Sequence, residues 1–244
     1  MKKTIISHFY NEEYLLPWWL NHHKKYFDHG ILINYASTDK SVEIINSFPN
    51  TEVIEWDSNG QVRDDLYLEI KNNIWKQSRG KCDYVIVGDA DEFLYHDNMI
   101  DFLTRSKKND ITLFKPEGYH MIGDEDLDLN YNDNLLEKVK YGIIGSSNDK
   151  LMMFNPNKIQ EINYMFGCHQ ANPKGIVNLY QFNDLKMLHY KYLGLKDFIP
   201  KQKLRGDRLS EFNKQRGLGM YYLYDENKHK EEYKTFIEKR KKVL

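Results

Sequence analysis

The sequence predicts an α/β fold, a mostly parallel central sheet flanked by helices, on three observations. Short apolar runs rich in β-branched residues, at 3–9, 30–34, 52–56 and 84–88, alternate with stretches of helical periodicity. Each connection is long enough to hold a helix, and none is a two-residue hairpin turn, so the strands run parallel. The fourth run, Tyr84-Val85-Ile86-Val87-Gly88, ends abruptly in Asp89-Ala90-Asp91-Glu92. Such a strand is covered on both faces and delivers carboxylates to its carboxyl end, where they meet solvent or a cation.

In chain order, 3–9 reads as the first strand, and Asn11 or Glu12 caps a helix over 14–27 with Pro17 in its first turn. A second strand over 30–34 leads to Ser37-Thr38-Asp39, which has N-cap chemistry for a helix over 40–48. After Pro49-Asn50 come a strand at 52–56 and a helix at 64–78. Beyond Leu94 the pattern gives a helix at 98–107, strands at 111–115, 151–154 and 185–192, helical character from 195, and a charged, helical end over 229–242. No Pro, Gly or Ser linker divides the chain, so residues 1–244 read as a single domain: a ligand-binding half (1–97), a second half (98–210) and a helical tail (211–244).

Composition narrows the function. With 35 basic and 36 acidic residues, bulk charge does not favour nucleic acid. Cys82 and Cys168 match no zinc or redox spacing, which points to a reducing compartment. The first residues turn polar at His8, before any signal-peptide core, and no run reaches the ~20 apolar residues of a membrane span. A cytoplasmic protein is expected, with peripheral membrane contact left open.

In a parallel sheet, ligands bind at the carboxyl edge. That rule gathers four loops: Tyr10-Asn11-Glu12, Ser37-Thr38-Asp39, residues 57–63 and Asp89-Ala90-Asp91. The first has no Gly-rich turn, so a nucleotide would be held by side chains and a metal rather than by a glycine cradle. Asp89 and Asp91, spaced by the small Ala90, can meet a hard divalent cation bearing phosphates. Arg63 and Lys71 flank the third loop, as phosphate or nucleoside contacts or as solvated surface.

These loops in this order, with Asp89-Ala90-Asp91-Glu92-Phe93 after the fourth strand and His189-Tyr190, Phe198, Lys201 and Arg205 later, resemble the GT-A glycosyltransferases, in particular their family-two-like bacterial group with an Asp-x-Asp motif. The resemblance covers about 1–210 and is densest before Leu94. It implies a GT-A, Rossmann-like sheet with an acceptor-side region after it. It further implies a nucleoside-diphosphate sugar as donor, a UDP-sugar first, with Mn²⁺ or Mg²⁺, and a hydroxyl of a glycan or lipid-linked glycan as acceptor, in bacterial surface polysaccharide or lipopolysaccharide synthesis at the inner membrane surface. By that resemblance Tyr10, Asn11, Glu12 and Asp39 hold the nucleoside side, Asp89 lies by the ribose and metal, and Asp91 and His189 ligate the metal. Lys201 and Arg205, four apart on one helix face, fit closing over the diphosphate or a solvated basic face. Asp39 also fits a helix cap alone, and His189 a core histidine.

An inverting enzyme needs a base for the acceptor hydroxyl. Three candidates are Glu125, in the acidic run 124–126, His169, and Asp184 just before the strand of His189. Two rival functions remain: a sugar nucleotidyltransferase, whose Gly-rich basic first loop this chain lacks, and a non-catalytic nucleotide- or carbohydrate-binding protein on the same scaffold. The tail, with Lys228, Lys230, Lys234 and 239–242 among Tyr233, Phe236 and Ile237, reads as a surface helix or a lipid-facing one.

Overall fold

Alternation along the central strands builds two cores at once. In a computed structural model, which describes residues 1–56, 58–145 and 150–244, Tyr84 and Ile86 join Ile5 and Leu32 on one face of the sheet, while Val85 and Val87 join Ile6, Ile31 and Ile33 on the other. Both faces are buried, as β-branched runs without polar alternation require.

The elements follow in order as β1 (Lys3–Phe9), α1 (Leu16–His23), β2 (His29–Asn34), α2 (Ser41–Asn46), β3 (Thr51–Glu55), α3 (Asp64–Asn73), β4 (Tyr84–Asp89), β5 (Glu92–Tyr95), α4 (Met99–Lys108), β6 (Leu113–Phe114) and β7 (Glu117–Ile122). Then come α5 (Leu135–Lys138), β8 (Tyr141–Ile144), β9 (Met153–Phe154), β10 (Ile159–Glu161), β11 (Lys174–Gly175), β12 (Leu179–Tyr180), β13 (Lys186–Tyr192), α6 (Leu195–Asp207), α7 (Glu211–Gln215), α8 (Glu226–Lys239) and β14 (Lys241–Lys242).

The large sheet has the order β12-β6-β9-β4-β1-β2-β3. β4, β1, β2 and β3 are parallel, and β9 is antiparallel to both β4 and β6. The expected mixed α/β architecture with a largely parallel, helix-flanked sheet is therefore present. A second sheet, β14-β8-β7-β13-β5, was not legible in the sequence. Chain reversal after Asp91 creates it: β5 leaves the large sheet and pairs antiparallel with β13, setting His189 opposite Glu92. The end of the chain also differs from expectation. Helix α8 stops at Lys239, and Lys241–Lys242 pair antiparallel with Tyr141 and Gly142 of β8. Among the described residues no helix is long and apolar enough to cross a membrane.

Helix α1 carries a buried histidine, His23, and a partly buried one, His22, against the core. His22 Nε2 lies 2.8 Å from the Leu94 carbonyl and His23 Nδ1 lies 2.9 Å from that of Trp19. Burial lowers His22 to about 4 and His23 well below its ordinary value. The unfolded chain then takes up these protons first as pH falls below about 6.5, so the stability they contribute is complete above that pH and is lost on acidification. Each costs about 1.4 kcal/mol per pH unit. Urea unfolding at pH 6.5 and 5.0 should show a loss of about 3 kcal/mol from this pair, because the unfolded-state imidazoles are already half protonated at pH 6.5; equal stability at the two pH values would refute the assignment.

A cleft at the carboxyl edge of the sheet

The first two loops are stitched to each other. Asn11, at φ 49°, donates its backbone N–H to Ser37 Oγ (3.0 Å) and accepts from the Thr38 N–H (2.8 Å). Asp39 accepts from the backbone N–H of Glu13 (3.0 Å) and of Ser41 (2.9 Å), and Glu13 accepts from that of Lys40 (3.0 Å). Neither Asn11 nor Asp39 lines the cleft that opens beside them. Their side chains are spent on backbone donors, which accounts for residues of this type at these positions.

That cleft, of about 450 Å³, brings together Tyr10, Glu12, Asp89, Asp91, His169, His189, Lys201 and Arg205 from the predicted set. Arg63 stands outside it, forming a forked pair with Asp65 (2.8 and 2.5 Å). Of the third loop, Asp57 lies outside the described residues. Glu125 is exposed, its carbonyl accepting from the Leu195 N–H (2.9 Å). Asp184, likewise exposed, accepts from Tyr180 Oη (2.8 Å) at the far end of β13 from His189. Neither lines the cleft.

Asp89 closes β4 opposite His8 of β1. It is held by Lys71 from α3, by Lys150 at 3.1 Å and by His8 Nδ1 at 3.3 Å. Burial pushes its carboxyl up, but Lys150, Lys71 and His8 together outweigh burial and hold it well below the usual range. Lys150 also pairs with the buried Glu92, whose other oxygen accepts from the Asp89 N–H (3.1 Å). Gly88 makes this possible, since a Cβ there would stand 2.9 Å from Met152 Cε and 3.3 Å from Glu92 Oε2. Lys150 and Lys71 are the residues that complete this end of the site. Lys150 is a lone lysine before an apolar run, and nothing local in the sequence marks it.

Asp91 faces the second sheet. Its Oδ2 lies 3.3 Å from His189 Nε2 and 3.4 Å from Arg205 Nη2. Burial again raises the carboxyl, and His189, Arg205 and Lys201 bring it well below the ordinary range. Arg205 and Lys201, one turn apart on α6, also reach the buried Glu12, Arg205 at 3.7 Å. Burial leaves Glu12 raised despite them.

The two ends of the cleft differ. At one, Arg208 packs 3.1 Å from the centre of the Tyr10 ring, beside Tyr35, Tyr67 and Asp64. Burial pushes the Asp64 carboxyl up although Asn213 donates to it at 3.0 Å. At the other end stand His120, His189 and Lys191, with Tyr221, Tyr222, Glu232 and Phe236 from the segment expected to be a tail. Burial and the nearby Arg205 lower Lys191 to about 7, and its Nζ lies 4.6 Å from the Tyr221 ring centre. His169 follows Gly167, whose φ of 76° turns the chain into the cleft, and burial lowers it to about 4.

For a metal, the donor chemistry distinguishes the two aspartates. Among the described residues no three His, Cys, Asp or Glu side chains gather as a metal set. Both oxygens of Asp89 are taken by ammonium groups. Asp91 and His189 offer one carboxylate and one imidazole side by side, which suits an ion that takes its remaining ligands from phosphates and water.

No protein-family model matches this chain, and no curated protein matches its sequence. Solved structures do. S. aureus TarS is 14% identical with a TM-score of 0.50, over 85% of this chain and 39% of that one. Its 1–349 fragment is 13% identical with a TM-score of 0.49, over 85% and 65%. The same fragment in complex with UDP-GlcNAc gives 13% and 0.48, over 85% and 66%. The chain thus spans less than two thirds of these proteins, and at such identity the likeness shows a shared fold.

Proposed function

We propose that the protein is a glycosyltransferase that moves a sugar from a UDP-sugar to a hydroxyl of a glycan, in the synthesis of a bacterial surface polymer. The observation that carries this reading is one cleft at the carboxyl edge of a parallel sheet, where Asp89 and Asp91 lie between an aromatic, arginine-backed end and the cations of α6. The nucleoside fits the end of Tyr10, Tyr35, Tyr67 and Arg208, where Tyr35 Oη and Arg208 Nη2 are buried without a hydrogen-bond partner among the described residues. The diphosphate then falls beside Lys201 and Arg205, and the sugar points towards His189 and Lys191.

Asp91 and His189 are the residues that would hold Mn²⁺ or Mg²⁺, which when bound neutralises charge on the departing diphosphate. Asp89, clamped by Lys71 and Lys150, fixes the end of β4 and presents its carboxylate towards the ribose. The stitched first and second loops support the nucleoside end through Tyr10 and Glu12, with Asn11 and Asp39 behind them.

A thermal-shift series with UDP, UDP-GlcNAc, UDP-glucose and UDP-galactose, with and without Mn²⁺, tests the reading. TarS is known in complex with UDP-GlcNAc, which makes this sugar nucleotide a natural first probe. At 100-fold excess over Kd the stabilisation is about 2.7 kcal/mol, or a rise in Tm of roughly 5–10 °C. No shift with any of the four compounds would overturn the proposal.

A further inference from the structure

Five carboxylates line the cleft among the described residues: Glu12, Asp64, Asp89, Asp91 and Glu232. Four are committed. Glu12 pairs with Lys201 and Arg205, Asp89 with Lys71 and Lys150, Asp91 with His189 and Arg205, and Asp64 accepts from Asn213. A carboxylate held by cations is a poor proton acceptor, because protonation forfeits its ion pairs, and Asp64, held by an amide alone, stands at the opposite, Tyr67 end of the cleft. Glu232 is different. Its one ion-pair partner within 4 Å, among the described residues, is His229 Nδ1 at 4.0 Å, whose charged form burial disfavours, and its own side chain is 33% exposed.

The fold holds this residue beside the Asp91 end of the cleft. His229, Tyr233 and Phe236 are spaced to share one face of α8 with Glu232. Tyr233 is fully buried and anchors the helix, accepting from the Gly194 N–H (2.7 Å) and donating to the Gly123 carbonyl (3.2 Å). Phe236 packs on Tyr192, with ring centres 5.0 Å apart, and stacks at 6.4 Å with His120. The His120 ring lies 5.2 Å from that of His189, which in turn contacts Asp91. A continuous series of contacts thus runs from the metal-competent pair to the helix that carries Glu232.

We propose that Glu232 is the general base of an inverting transfer, and that the acceptor hydroxyl enters between α8 and His189. The inference rests on the glycosyltransferase reading. As the acceptor oxygen forms its bond to the anomeric carbon, the Glu232 carboxylate takes the hydroxyl proton. The bond from that carbon to the diphosphate oxygen breaks, and its electron pair leaves on UDP, against Lys201 and Arg205. The exposed edge of Glu232 then returns the proton to water. The Lys191 side chain and the Tyr221 ring beside it, which line the same cleft, form the wall against which an acceptor sugar rests.

The test uses Glu232→Gln and Glu232→Asp in the full chain, with UDP-GlcNAc, UDP-glucose and UDP-galactose as donors and water as acceptor. UDP release should fall about 100-fold or more in the Gln variant, while calorimetric affinity for UDP stays within about twofold of wild type, near the noise of a single weak contact. The Asp variant should retain an intermediate rate. Sodium azide, a nucleophile that needs no deprotonation, should restore UDP release in the Gln variant and yield a glycosyl azide of inverted configuration. Wild-type turnover in the Gln variant, loss of turnover that azide does not restore, or a product of retained configuration would each overturn the assignment while leaving the donor reading intact. If the wild-type protein neither binds UDP nor releases it from any of the three donors, even with azide, the glycosyltransferase reading falls, and this inference with it.

Discussion

Asp91→Ala should abolish the Mn²⁺-dependent part of UDP binding. The carboxylate is buried, contacts His189 at 3.3 Å and Arg205 at 3.4 Å, and, unlike Asp89, is not clamped by two lysines. Truncating one partner of a buried, hydrogen-bonded charge pair costs about 2–5 kcal/mol. Calorimetry in Mn²⁺ should therefore show UDP affinity reduced by about 30-fold or more, with little further change on adding EDTA. Asp89→Asn should respond differently, because Asp89 is bound by two lysines: it should weaken UDP binding equally with and without Mn²⁺. If Asp91→Ala binds UDP in Mn²⁺ as the wild type does, the metal assignment is wrong.

The largest stability effect is expected at Lys150. It is buried between Asp89 and Glu92, and Asp89 and Glu92 strongly favour its charged form, outweighing the burial that opposes it. Lys150→Met leaves the Glu92 carboxylate buried without its cation and half-strips Asp89, a loss of about 3–5 kcal/mol. In a chain of this size that lowers Tm by roughly 10 °C. Because the damage is the stranded charge, Glu92→Gln made together with Lys150→Met should recover part of it, and a double-mutant cycle would read the coupling. Additive losses would mean that the two side chains do not interact.

How much of this was legible in the sequence depended on whether a feature is local. Tyr84 to Asp89 could be read because an uninterrupted β-branched run closing in acids has few other solutions in an α/β fold. The carboxyl-edge rule then brought Tyr10, Glu12, Asp89 and Asp91 to one cleft without further information. Asp39 and Asn11 show where such reading stops. A short polar side chain after a strand serves a ligand or a neighbouring backbone N–H equally well, and here each serves the backbone. Lys150 and Glu232 were out of reach for another reason. A lysine before a strand and a glutamate in a charged helix read as solvated surface, and only the crossing of β4 with the chain near 150, and of α8 with β13, turns them into the cleft. The second sheet was missed because its strands are short and pair across long separations, β5 with β13 above all.

The internal ion pairs of the cleft also bear on the rate at which it fills. Lys71, Lys150, Lys201 and Arg205 are already answered by Glu12, Asp89, Asp91 and Glu92. The cleft therefore projects little net field into solvent, and an approaching dianion is not steered towards it as it would be towards an uncompensated basic patch. On the proposed reading a diphosphate would gain its cations by exchanging places with carboxylates. Its association should then depend only weakly on ionic strength, with selectivity set after the encounter.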